Sequence, residues 1–111
     1  MTIKLESADE LKELVMKAEN LLVYFFNNDC APCLALRPKV ETLITERFPL
    51  MDLVYIDAKQ FPELISEYQA YSFPVLIFFF EGKEYDGSKS FSSLKRKVRE
   101  SAMIEGGLIN F

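Results

Sequence analysis

Two rhythms of apolar residues alternate along this chain. Leu21-Leu22-Val23-Tyr24-Phe25-Phe26, Met51 to Asp57 and Val75 to Phe80 run apolar with little polar interruption, the pattern of strands covered on both faces. Between them apolar residues recur at helical spacing. Leu11, Leu14, Val15 and Ala18 follow Ser7-Ala8-Asp9-Glu10, which reads as a capping box and predicts a helix from about Ala8 to Glu19. Leu36, Val40, Leu43 and Ile44 form one stripe of a second helix, with Pro38 inside it to remove a hydrogen bond and kink it. Pro62 suits the first turn of a short third helix holding Leu64, Ile65 and Tyr68.

Glu81-Gly82-Lys83 reads as a tight turn into Glu84-Tyr85-Asp86, making an antiparallel hairpin with the preceding strand. Ser92 or Ser93 caps a last helix with Leu94, Val98 and Ala102 inward, ended by Gly106-Gly107 and followed by a tail from Leu108 to Phe111. A weak first strand is expected at Ile3 to Leu5. Strands alternating with helices predict an α/β class with a mainly parallel sheet of four to five strands, helices on both faces and an antiparallel edge. Residues 1–111 show no repeat or linker and are expected to form a single domain.

Composition adds a globular character: half the residues are hydrophobic and charged residues make up 27%. The formal net charge of −4 argues against nucleic acid or an anionic membrane as main partner. One basic run, Lys95-Arg96-Lys97 with Arg99, reads as a solvated face of the terminal helix. The opening residues lack the apolar core of a signal peptide, and no apolar run is long enough to span a bilayer. The expectation is a cytoplasmic monomer.

The chemistry lies in Cys30-Ala31-Pro32-Cys33, which holds the only two cysteines. Thiols at i and i+3 on the first turn of a helix lie on one face, about 5–6 Å apart at Cβ, and small adjustments bring the sulfurs into disulfide range. As a staple, so short a bridge is worth roughly 2 kcal/mol, against nearly 5 for a loop of about 100 residues. The spacing points to chemistry rather than stability. A helix N-terminus stabilises a thiolate, and Cys30, at or just before the helix start, gains most. Cys30 is thus expected to be the attacking nucleophile, and the more buried Cys33 the residue that resolves the mixed disulfide. Half of a metal site, a structural disulfide and two unrelated reduced thiols are the competing readings. The first lacks ligands, since the chain has no other Cys and no His.

The element order, with this motif opening the helix after the first central strand, resembles the thioredoxin family over nearly the whole chain. Three elements carry the resemblance. Cys30-Ala31-Pro32-Cys33 is similar to the family's Cys-Gly-Pro-Cys, Pro38 matches its helix-kinking proline, and Phe73-Pro74 before the strand Val75 to Phe80 matches its cis-proline. A cis option at X-Pro stands on general grounds as well. The resemblance implies the thioredoxin fold and a thiol–disulfide oxidoreductase that reduces protein disulfides with Cys30 and Cys33 as catalytic residues. It implies no cofactor, and as partners disulfide-containing proteins and an external thiol reductase. It also implies a substrate-binding surface of Asp29, Ala31, Pro32, Phe73 and Pro74, in which the residue before the cis-proline pairs its backbone with the substrate.

The departures from the family are informative. Asp29 stands where the family usually has Trp, and its carboxylate is expected to oppose thiolate formation at Cys30 and to select substrates by charge. Tyr24 occupies the position of the family's buried Asp, and Leu53 that of the Lys paired with it, so the usual proton acceptor for the second cysteine is missing. No His lies between the cysteines, which implies a reducing potential. The alternative reading is a thioredoxin-fold binding or adapter module, or a reductase dedicated to one partner with weak general activity.

Overall fold

A computed structural model describes residues 2–71, 73–80 and 83–84. Among these residues five strands and three helices follow in the order β1 (Thr2–Lys4), α1 (Ala8–Lys17), β2 (Asn20–Phe26), α2 (Ala31–Arg47), β3 (Asp52–Asp57), α3 (Pro62–Tyr68), β4 (Val75–Phe80) and β5 (Lys83–Glu84). The strands form one sheet in the order β1-β3-β2-β4-β5. β1, β3 and β2 are parallel, whereas β4 runs antiparallel to β2 and β5 antiparallel to β4. The predicted terminal helix, its basic run and the Leu108–Phe111 tail lie outside the described residues, as do the turn at Glu81-Gly82 and the rest of the final strand.

The uniform apolarity of β2 follows from its central place. Successive side chains of a strand point to opposite faces, and here both faces are covered. Leu22, Tyr24 and Phe26 enter one core cluster with Leu53, Leu76, Phe78 and the α2 stripe Leu36, Val40 and Ile44. Leu21, Val23 and Phe25 enter the other with Val54, Ile56, Val75, Ile77 and Phe79, against Leu11 and Val15 of α1 and Leu64 of α3. The sheet thus carries α2 on one face and α1 with α3 on the other. Each large apolar side chain so buried stabilises the fold by about 1.5–3 kcal/mol relative to exposure. Cys33 belongs to the α2 cluster and Cys30 packs against it, so the cysteine pair is built onto one of the two cores.

Some local details differ from the sequence expectation. Ser7 is the N-cap of α1, but the reciprocal side-chain bonds of a capping box do not form. The Glu10 carboxylate accepts from the Glu6 N–H at 3.4 Å, and the Glu10 N–H bonds the Ser7 carbonyl at 3.3 Å. The helix ends at Lys17 rather than Glu19. The first strand lies one residue earlier than expected because Leu5 turns into the α1 core instead of continuing the ladder. The second helix continues through Pro38 to Arg47. α3 closes on Gln69 in the left-handed region at φ 55°, which returns the chain toward β4. Among the described residues, no helix is long and apolar enough to cross a membrane.

The packing makes a stability contrast. Phe78 is 2% exposed in the α2 cluster and Leu50 is 85% exposed. Phe78→Ala should cost about 3–5 kcal/mol, whereas Leu50→Ala should stay within about 0.5 kcal/mol. Denaturant midpoints of the two variants check this, and equal shifts would contradict the core assignment.

Candidate redox site

β2 delivers the chain to the site. Beyond Phe26, the Asn27 side-chain carbonyl accepts from the Asp29 N–H at 3.1 Å, and the Asn27 backbone carbonyl accepts from the Cys30 N–H at 3.0 Å. This turn reverses the chain into α2, whose N-cap is Cys30. Cys30 has extended backbone geometry, φ −95° and ψ 102°, as an N-cap residue does. Pro32 sits in the first turn, where a missing N–H costs nothing.

The capping group is sulfur. The Cys33 N–H donates to Cys30 Sγ at 3.2 Å, so one of the orphan donors of the helix start is aimed at the first cysteine's side chain. Cys30 and Cys33 are joined as a disulfide with Cα atoms 5.3 Å apart. Cys33 is 1% exposed, whereas Cys30 is only partly buried and packs at the edge of the same cluster. Cys33 is therefore the more enclosed residue of the pair.

Phe73–Pro74 is a cis peptide bond. The antiparallel register pairs Val75 with Phe25, which brings Pro74 to the end of β2 from which the cysteine loop departs. Phe73 packs against the cluster that contains Cys33. Tyr71 and Leu34, close to this loop and to Cys33 in sequence, are large apolar side chains left exposed. Asp29 and Ala31 are also exposed, and Pro32 is half-buried.

Several contacts of the site were not foreseen from sequence. Lys59, in the turn after β3, places Nζ 3.4 Å from the Asp29 carboxylate. The charge expected to oppose the Cys30 thiolate therefore has a counter-ion, although both side chains are largely exposed and the pair is screened. Tyr24, fully buried, donates from Oη to the Cys33 carbonyl at 2.6 Å. Its ring centre lies 5.3 Å from that of Tyr55 in a T-shaped arrangement. The Arg37 guanidinium lies 3.9 Å from the Tyr55 ring centre and 5.2 Å from that of Phe26, a cation–π arrangement. Burial pushes the Tyr24 hydroxyl pKa well above its ordinary value, and Arg37 only partly opposes this. Burial and the nearby Glu41 do the same to Tyr55. Leu53 is buried in the same cluster as Tyr24, so the acid–lysine pair is replaced by apolar and aromatic packing. The i+4 spacing of Arg37 from Cys33 was the available signal for the cation.

A family model described as Thioredoxin matches residues 2–100. A chloroplastic thioredoxin X from Arabidopsis thaliana is 36% identical over 84 residues, 75% of this chain and 46% of the relative. This chain therefore spans about half the length of that protein. A thioredoxin from Mycobacterium tuberculosis is 29% identical over 102 residues, 89% of this chain and 88% of the relative. The X-ray structure of Fasciola hepatica thioredoxin superposes with a TM-score of 0.70 at 28% identity, covering 88% of this chain and 97% of that one.

The capping geometry makes a prediction. In reduced Cys33→Ser protein, alkylation of Cys30 should rise with pH to half its maximum below the free-thiol value of about 8.5. A midpoint at or above that value would mean that the helix terminus does not activate Cys30. The match of a family model to nearly all of this sequence, on a sheet of the same architecture and with the cysteine pair at its helix start, shows that the chain belongs to the thioredoxin family.

Proposed function

We propose that this chain is a thiol–disulfide oxidoreductase that reduces protein disulfides by cycling Cys30 and Cys33 between dithiol and disulfide. The observation that carries the reading is the Cys33 N–H donated to Cys30 Sγ at the N-terminus of α2. The same donor serves a Cys30 thiolate, lowering the cost of the nucleophile. In the first step the Cys30 thiolate attacks a substrate disulfide. One sulfur of the substrate leaves as thiolate and a mixed disulfide forms. Cys33, after losing its proton, attacks Cys30 Sγ. The Cys30–substrate bond breaks, the second substrate sulfur leaves with the electron pair, and both leaving thiolates take up protons. The dithiol has given up two electrons, and an external thiol reductase returns them.

We assign Asp29, Ala31, Pro32, Phe73 and the buried Pro74 to the proposed docking surface. Support comes from the register, which brings the Phe73-Pro74 loop to the strand end that bears the cysteines. We place the protein in a reducing compartment, the cytoplasm. Both thiols are committed to a bridge three residues apart and none to a long-range staple. There it carries electrons to disulfides and contributes to redox homeostasis. Both members of the couple come from one chain, which fits a monomer, and the net charge of −4 fits neither nucleic acid nor an anionic membrane. A second reading, a binding module with slow turnover, is favoured by Tyr24 in the place of an acid.

The division of roles is tested by substitution. Cys30→Ser should abolish reduction of a protein disulfide such as that of insulin, and Cys33→Ser should accumulate mixed disulfides. Faster alkylation of Cys33 than of Cys30 in the reduced wild-type chain would reverse the assignment. Loss of turnover in the wild-type chain with partner binding intact would favour the binding module.

Proton transfer is the second test. Cys33 is enclosed, which disfavours its thiolate. The Tyr24 hydroxyl, held protonated, cannot serve as base. Below the Cys33 pKa the reactive fraction grows about tenfold per pH unit, so resolution of the mixed disulfide should be slow at pH 7 and accelerate above it. Stopped-flow resolution that is fast and flat between pH 6 and about 9 would show that another base operates.

A further inference from the structure

Cys33 is held from two sides by different kinds of bond. On its N–H side the partner is Cys30 Sγ at 3.2 Å, an atom that changes its own bonding at every step of the cycle. On its carbonyl side the partner is Tyr24 Oη at 2.6 Å, which takes no part in sulfur chemistry. The flanking helix is short of its own bonds. Pro38 has no N–H to give the Leu34 carbonyl, so the helical ladder is interrupted directly after Cys33.

We propose that Tyr24 is the positioning residue of the resolving cysteine: its hydroxyl fastens the Cys33 turn to the central strand, so that Cys33 Sγ is presented to Cys30 Sγ when the mixed disulfide must be broken. The inference rests on the thiol–disulfide reading above. Three features support it. Tyr24 lies on β2, the most enclosed strand, so the anchor is rigid. Its ring is braced by that of Tyr55, T-shaped with centres 5.3 Å apart, and Tyr55 by the Arg37 guanidinium 3.9 Å from its ring centre. Arg37 sits one turn beyond Cys33, so the brace ties β2, β3 and α2 around the cysteine. Burial also keeps the hydroxyl protonated, so the donor persists while the thiols titrate.

The step served is the closing one. Cys33 thiolate forms a bond to Cys30 Sγ, the Cys30–substrate bond breaks, and the substrate sulfur departs with the electron pair. An aromatic disulfide, 5,5′-dithiobis(2-nitrobenzoic acid), separates the two stages. Attack by Cys30 releases one coloured thiolate, and closure by Cys33 releases a second. Tyr24→Phe keeps the ring and removes the hydroxyl. Its second release should slow about five- to tenfold, the size expected for one lost buried hydrogen bond. The first release should be unchanged. Equal slowing of both phases, or of neither, would overturn the proposal. If wild-type protein gives no second release at all, the oxidoreductase reading itself fails, a distinct outcome. Should Tyr24→Phe not fold, NMR of the reduced wild-type chain decides. A slowly exchanging Tyr24 hydroxyl proton close to the Cys33 turn supports the anchor, and its loss on reduction refutes it.

Discussion

The contact on which the site depends is the hydrogen bond from the Cys33 N–H to Cys30 Sγ. A helix start leaves several N–H groups without partners, and most proteins satisfy them with oxygen. Here a sulfur takes that place. The same act that completes α2 therefore puts the first cysteine in the field of the helix terminus, next to the second. On the proposed mechanism, removing the helix would remove the activation, and removing the cysteine would uncap the helix. Folding and reactivity are joined at one atom.

The rest of the fold serves to hold that junction still. β2 is buried on both faces and paired on both edges, with β3 on one side and β4 on the other. The cysteine loop is launched from the C-terminal end of this doubly covered strand. The antiparallel run of β4 brings Phe73-Pro74 to the same end, so the cysteine turn and the cis peptide share one end of the sheet although they lie far apart in sequence. The second cluster, built by α1 and α3, supports β2 from behind and meets the site at Phe73, which packs against both clusters.

Much of this was legible in the residues. Unbroken apolar runs marked β2, β3 and β4, because a strand covered on both faces has no polar period. The i, i+3 cysteines, with a proline between them, marked the helix start. What stayed hidden depends on partners remote in sequence. Ser7 and Glu10 have the spacing of a capping box, yet Glu6 competes for the carboxylate. Asp29 looked like an uncompensated charge until the turn after β3 brought Lys59 beside it. Tyr24 read only as the absence of an acid. Its bond to the Cys33 carbonyl required α2 to be docked on the sheet, and the register that pairs Tyr24 with Tyr55 to be known.

The central claim is that this cysteine pair is poised to donate electrons. The reduction potential, measured by equilibrating the protein with dithiothreitol or glutathione buffers and counting free thiols, tests it most directly. With no cation-forming His between the cysteines to favour the thiolate form strongly, the account predicts a value near that of thioredoxins, about −270 mV. A value near that of strong oxidants, about −120 mV, would contradict it and would make the chain an electron acceptor.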